Sequence, residues 1–184
     1  MVERKQRIEF CDLAKLAPEA KEQAERATVN GQIINIFKVL MNHPKLTRAW
    51  GRFGGYIMGP QTMAPREREL AILRIGWLNQ APYEWEQHVR IGKTVGIADE
   101  EIERIKKGPS AEWNQHETAI LQAADDLFEN SIVSDQTWKT LSSTFNTQQM
   151  MDLVFTIGQY NLVSWALNSF GVPLDDFLPG AKKK

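Results

Sequence analysis

The chain has 184 residues, of which 42% are hydrophobic and 24% are charged, and its formal net charge is −1. These values are typical of one globular domain and argue against disordered, collagen-like and coiled-coil classes. No long basic patch is present apart from the Lys182-Lys183-Lys184 tail, which argues against a nucleic-acid partner. Cys11 is the single cysteine, so an internal disulfide, a CxxC redox pair and a thiolate zinc site are excluded.

No targeting or membrane-spanning segment is recognisable in the sequence. Residues 1–7 lack the apolar run of a signal peptide, and no uninterrupted apolar stretch reaches the roughly 18 residues that a membrane span needs. We therefore expect a soluble, cytoplasmic protein.

Helical periodicity dominates the chain. Apolar residues recur at helical spacing from Asn30 to His43, and again from Leu46 to Ile57. Pro65 and Pro82 each suit the first turn of a further helix. The later helices are expected at 99–107, after a cap at Asn114, after a cap at Ser134, and at 147–170.

The same periodicity predicts the fold class and the division of the chain. No segment shows the alternation of a β-strand between turn signals, so we predict an all-α, single-domain fold of about eight helices. We expect a partly helical N-terminal extension at 1–29, the helical domain at 30–178 and a flexible basic tail at 179–184.

One histidine stands out as a candidate for chemistry. His88 lies mid-helix, four residues after Glu84, so the two side chains share a helix face. A neighbouring carboxylate tunes a histidine for proton transfer near neutral pH. Glu69 lies on the preceding helix and would face His88 if the two helices form an antiparallel hairpin around Gln80. The alternative reading is a structural histidine and a solvated glutamate.

Residues 66–103 carry a resemblance to a known family. The most specific stretch is Tyr83–Val89, which reads Tyr-Glu-Trp-x-x-His-Val, and residues 154–160 add to it. This pattern resembles the carboxymuconolactone decarboxylase family, which also contains the alkylhydroperoxidase D-like proteins. The resemblance covers roughly residues 30–176. It implies the alkylhydroperoxidase D-like helical fold for 30–178 and a homo-oligomer, a trimer or a hexamer.

The resemblance also assigns roles residue by residue. The peroxidase branch of the family has a glutamate, a CxxC pair and a histidine. Glu69 and His88 match the glutamate and the histidine, whereas Ala81 and Glu84 stand at the two cysteine positions. Without a thiol at either position, thiol peroxidase chemistry is excluded. The remaining acid–base pair is what the decarboxylase branch needs.

For a decarboxylase the expected catalytic residues are His88 as proton donor, Glu69 as the residue that orients it, and Glu84 as a group that shares the proton. Neither a metal nor an organic cofactor is expected, because the lactone carbonyl of the substrate accepts the electrons. Arg74 or Arg90 is a candidate for binding a substrate carboxylate. The full set of candidate substrate-binding residues is Tyr83, Trp85, Trp77, Tyr56, Arg74, Gln159 and Tyr160.

Three functions stay open at this point. The first is a cofactor-independent carboxy-lyase acting on a small cyclic or lactone carboxylic acid. The second is a related acid–base enzyme, an isomerase, cyclase or hydrolase, acting on a less charged substrate, since Glu84 makes the pocket acidic. The third is a non-catalytic oligomeric binding protein.

Overall fold

Nine α-helices make up most of the structure, a computed structural model that describes residues 4–178. The predicted all-α class is confirmed over this range, and the predicted basic tail at 179–184 lies outside it. The helices are α1 Pro18–Glu25, α2 Asn35–Leu40, α3 Pro44–Met58, α4 Pro65–Leu78, α5 Pro82–Thr94, α6 Asp99–Lys107, α7 Gln115–Asn130, α8 Asp135–Leu141 and α9 Thr147–Phe170. Two short 3-10 turns, Leu13–Lys15 and Gly108–Ser110, complete the helical part.

A two-stranded hairpin precedes α2, where the sequence pattern predicted no strand. Strands β1 (Thr28–Val29) and β2 (Gln32–Ile33) pair antiparallel around Asn30 and Gly31, whose φ angles are 51° and 75°. Positive φ at both central residues suits an Asn-Gly turn. The expectation of no strand was wrong here because strands of two residues are too short to show alternation.

Helix ends follow the capping signals of the sequence. The side chains of Asn114, Ser134 and Asn146 accept hydrogen bonds from the third residue of α7, α8 and α9, respectively. Pro65 and Pro82 each occupy the first position of their helix. Over residues 4–178, no helix combines the length and the apolar character that crossing a membrane would require.

Helix α4 occupies the centre of the molecule. Every residue from Arg68 to Gly76 is buried, because α5, α6, α7 and α9 all pack on this helix. Its apolar residues, among them Leu70 and Leu73, belong to the main hydrophobic core. The three ionisable residues of this segment, Arg68, Glu69 and Arg74, must therefore find partners inside the protein.

A tight connection places α5 against α4. Gln80 adopts a φ of 51° and Pro82 begins α5, so the chain reverses within three residues after Leu78. Gly76 faces Glu84 at this contact, where a Cβ would lie 3.5 Å from Cγ of Glu84, an ordinary van der Waals distance. The antiparallel hairpin expected around Gln80 is present, and it brings the side chains of α5 over the middle of α4.

Candidate active site

Two buried carboxylates flank one buried histidine between α4 and α5. His88 Nδ1 lies 2.6 Å from Glu69 Oε2, and His88 Nε2 lies 2.9 Å from Glu84 Oε1. The exposed fractions are 0% for Glu69, 4% for Glu84 and 5% for His88. The first contact is a hydrogen bond. The second is an ion-pair contact without hydrogen-bond alignment, so Glu84 Oε1 has no hydrogen-bond donor.

Arg68 and Tyr160 complete the surroundings of this triad. Arg68 Nε donates to Glu69 Oε1 over 3.1 Å, and Arg68 NH1 donates to the backbone carbonyl of Met58 over 3.1 Å. The ring of Tyr160 meets the imidazole of His88 edge-on, with a centroid distance of 4.7 Å, and its hydroxyl donates to Met58 Sδ. Two cationic and two anionic side chains therefore compensate each other in a nearly dry site.

The triad keeps its histidine protonated at neutral pH. Burial by itself would lower the pKa of His88, but the negative charges of Glu84 and Glu69, together with the hydrogen bond to Glu69, outweigh burial and raise this pKa to about 10. With both ring nitrogens protonated, Nδ1 donates to Glu69 and Nε2 presents its proton toward Glu84. Burial and the same two carboxylates raise the pKa of Tyr160 well above its usual value, so its hydroxyl stays neutral.

Comparisons with known proteins find the same helical fold and match the region that contains α4 and α5. Residues 44–126, which include the whole triad, match the model of the Carboxymuconolactone decarboxylase family. This central part of the chain is similar to that family. The sequence has no CxxC pair, because Cys11 is its single cysteine. No match was found among curated proteins.

Solved structures share the fold at low sequence identity. The alkylhydroperoxidase AhpD core of an uncharacterized peroxidase-related protein from Ralstonia eutropha JMP134 superposes with a TM-score of 0.81 at 21% identity, over 97% of each chain. An uncharacterized peroxidase-related protein from Silicibacter sp. TM1040 gives 0.80 at 16% identity, over 98% of each chain. The debrominase Bmp8, in complex with 2,3,4-tribromopyrrole, gives 0.64 at 16% identity, over 85% of this chain and 82% of that chain. At these identities the likeness shows the fold alone.

Cys11 lies apart from the triad. It packs with Ala20, Ala24 and Met41, in a small cluster of the N-terminal region. Within residues 4–178, no group of three or more His, Cys, Asp or Glu side chains has the arrangement of a metal site. The imidazole and the two carboxylates of the triad are groups that can transfer protons.

Arg74, a sequence candidate for binding a substrate carboxylate, instead joins three helices. Its guanidinium donates to both carboxylate oxygens of Asp125 on α7, at 2.5 and 2.8 Å. The remaining nitrogen NH1 donates to the carbonyls of Ile105 and Lys106 near the end of α6. These internal acceptors already engage the guanidinium, so a role of Arg74 in binding substrate stays a prediction. Arg90, the other arginine considered, pairs with Glu86 one turn earlier on α5.

Two of the candidate tyrosines hydrogen-bond to aspartates outside the triad. The hydroxyl of Tyr83 donates to Asp175 over 2.6 Å and accepts from the backbone N–H of Ile36, which ties α5 to segments near both ends of the chain. The hydroxyl of Tyr56 donates to Asp152 over 2.7 Å, and this hydrogen bond raises the pKa of Tyr56. Both hydroxyls are therefore engaged in structural contacts rather than directed at the histidine.

The remaining candidates divide between the core and the triad. Trp77 and Trp85 pack against each other with a centroid distance of 5.2 Å, under the ammonium group of Lys106. Gln159 is buried on α9 beside Gly54 of α3. Of the predicted substrate-binding residues, Tyr160 is the one that contacts His88.

Arg68 and Met58 belong to the site although the sequence pattern did not single them out. Arg68 had a weak signal, a basic residue directly beside the candidate Glu69. Met58 had none, because its contribution comes from a backbone carbonyl and a thioether ten residues before Arg68.

Proposed function

We propose that this protein is a cofactor-independent carboxy-lyase that acts on a small cyclic or lactone carboxylic acid. The observation that supports the proposal is the protonated His88 held between Glu69 and Glu84. A decarboxylation that ends in protonation of carbon needs an acid that is protonated at neutral pH and fixed in place.

The reaction we propose has two steps that balance. The bond between a ring carbon and the carboxylate breaks, CO2 leaves, and the electron pair delocalises through the ring into the lactone carbonyl. The resulting dienolate takes a proton at carbon, and that proton comes from His88 Nε2. Water then returns a proton to His88, so the enzyme ends unchanged.

The neighbours of His88 have distinct roles in this scheme. Glu69 fixes the orientation of the ring through Nδ1, and it stabilises the imidazolium. Glu84 lies beside Nε2 of His88. Because Oε1 of Glu84 accepts no hydrogen bond, it can relay the proton between the imidazole and a substrate or water. Arg68 offsets the charge of Glu69, which reduces the repulsion of an anionic substrate.

The test is a paired assay on the wild type and His88→Gln, with His116→Gln as the matched control. His116 also lies 2.9 Å from a glutamate, Glu67, and also stacks edge-on against an aromatic ring, Phe145. We expect carboxymuconolactone loss, followed by ultraviolet absorbance, together with trapped CO2, in the wild type and in the control only. Equal turnover by a folded His88→Gln would remove His88 from the mechanism.

One observation favours a second candidate, an isomerase, cyclase or hydrolase that uses the same residues on a less charged substrate. Two carboxylates adjoin His88, and their field disfavours a dianionic lactone. This enzyme would exchange substrate protons with D2O without releasing CO2, and would require His88 equally. If neither reaction occurs with any neutral or anionic lactone tried, the non-catalytic binding protein becomes the better description.

A further inference from the structure

The segment that follows α9 carries a buried carboxylate, Asp175. This residue is 1% exposed. Its Oδ1 accepts a hydrogen bond from the backbone N–H of Asn35 over 2.7 Å. Its Oδ2 accepts from the hydroxyl of Tyr83 over 2.6 Å and from the side-chain amide of Gln87 over 2.7 Å. A carboxylate withdrawn from water needs such donors, so these contacts account for its burial.

Asp175 is anchored independently of α5. The side-chain amide of Asn35, at the start of α2, donates to the carbonyls of Pro173 and Leu174, each over 3.1 Å. Helix α2 has no side-chain cap at Ile34, and Asp175 accepts from the first N–H of this helix instead. The segment 172–175 is therefore fixed on α2, and Asp175 reaches from it to α5.

The two donors on α5 stand directly before the two triad residues of the same helix. Tyr83 precedes Glu84, and Gln87 precedes His88. Residues four apart share a helix face, so Tyr83 and Gln87 form one face of α5, and Glu84 and His88 form the next face, about 100° further round. Because α5 is a rigid helix, holding the first face in place fixes the direction of the second.

Small rotations of α5 are enough to break the triad. A group that ends about 6 Å from the helix axis moves by about 1 Å when the helix turns by about 10°. The distance between His88 Nδ1 and Glu69 Oε2 would then grow from 2.6 Å to as much as about 3.6 Å, where a hydrogen bond is lost. The packing of Trp77 on Trp85 also joins α4 to α5, but apolar contacts are not directional and tolerate such a turn.

We propose that Asp175 is a positioning residue, which holds α5 in the rotation that points Glu84 and His88 at α4. It acts through Tyr83 and Gln87 and takes no part in proton transfer. A contact that served stability alone would leave the geometry of the triad unchanged when it is removed. The effect on turnover rests on the proposed lyase function, whereas the effect on the hydrogen bond of His88 does not.

The test variants are Asp175→Leu, which removes the acceptor, and Gln87→Met, which removes one donor at nearly constant volume. The matched control is Asp126→Leu. Asp126 is also buried, at 7% exposure, and also accepts from a backbone N–H, that of Ser134, and from a glutamine amide, that of Gln122. These contacts link α7 to the N-cap of α8 instead of to α5.

The measurement is the NMR resonance of the Nδ1 proton of His88, which lies far downfield in a short, charge-assisted hydrogen bond to Glu69. His88→Gln assigns this resonance by removing it. We expect the wild type and the control to share the resonance. In both test variants it should move upfield or be lost to exchange, with an unchanged helical circular dichroism spectrum. In Asp175→Leu kcat should fall on the order of 10- to 100-fold, with a smaller change in KM, because a displacement of about 1 Å costs up to about 100-fold.

The outcomes separate this proposal from the proposed function. An unchanged resonance in folded Asp175→Leu or, if that variant does not fold, in Gln87→Met would overturn the positioning role. An equal displacement in Asp126→Leu would overturn it as well, because a general loosening of the protein would then explain the effect. A displaced resonance in the test variants of a protein that turns over no lactone would support the positioning role and count against the lyase proposal alone.

Discussion

The raised pKa of His88 predicts how the stability of the protein depends on pH. Unfolding frees His88 from its two carboxylates, and its pKa then returns from about 10 to the ordinary value of 6.5. Between these values the native state binds a proton that the unfolded state has released, so the free energy of unfolding falls as pH rises. The contribution of His88 is fully present below pH 6.5 and is lost by about pH 10.

The size of this effect follows from the same two pKa values. One pKa unit corresponds to about 1.4 kcal/mol, so the full displacement amounts to a loss on the order of 5 kcal/mol. Burial supports a large fraction of this value, since the ring is 5% exposed and solvent screens its contacts with Glu69 and Glu84 little. This loss is comparable to the whole stability of many domains of this size, about 5–15 kcal/mol.

The assay is urea unfolding of the wild type and of His88→Gln across the range from pH 6 to pH 10. Other groups titrate in this range as well, and the variant serves to subtract their contribution. We expect the wild type to lose several kcal/mol more than the variant, and the ring proton of His88 to titrate near pH 10 by NMR. Parallel stability curves for the two proteins would refute the reasoning, because His88 would then have the same pKa in both states.

Three further predictions concern the contacts around the site. Asp125→Ala leaves the buried guanidinium of Arg74 without its carboxylate, so we expect the free energy of unfolding in urea to fall by about 3–5 kcal/mol. Turnover per folded molecule should stay unchanged, and reduced turnover at full stability would support Arg74 as a substrate-binding residue. Gly108→Ala places a Cβ 2.6 Å from Arg74 NH2, at a residue whose φ is 81°. We expect a lower melting temperature and a free energy of unfolding that is about 2 kcal/mol smaller. An unchanged melting temperature would contradict the backbone conformation of Gly108. Tyr160→Phe keeps the ring contact with His88 and loses only the hydrogen bond to Met58, so its kcat should stay within a few-fold of wild type. Tyr160→Leu also loses the ring contact and should lower both kcat and the melting temperature. Equal kcat in all three proteins would remove Tyr160 from the site.

The sequence predicted the helices well because their signals are local. Capping residues such as Ser134, first-turn prolines such as Pro82 and the apolar repeat each act within one or two turns. The contact between the side chains of Glu69 and His88 was also predictable, because a short turn at Gln80 brings two antiparallel helices together. The hairpin around Asn30 and Gly31 was missed, although an Asn-Gly pair is a strong turn signal.

The contacts that the sequence did not predict join residues that are distant in the chain. Arg74 was a candidate for substrate binding, and in the structure its carboxylate partner follows 51 residues later. The periodicity of the two helices does not indicate that they pack together. Arg68 was overlooked for a related reason, because its second partner is the backbone carbonyl of Met58. Residue type alone therefore identifies which buried side chains carry a charge that needs a partner. Only the three-dimensional packing identifies that partner.

The burial of α4 ties the candidate site to the integrity of the whole molecule. Its ionisable side chains reach α3 through Met58, α5 through His88 and α7 through Asp125, so the site is complete only when α3 and α5 have docked on a helix that α7 also holds. We expect the amide protons at the centre of α4 to exchange with solvent only when the entire chain opens, unlike those of a loop-borne site. Proteolytic nicking or a destabilising substitution far from His88 should therefore abolish the site in one cooperative step, without a population of partly assembled forms.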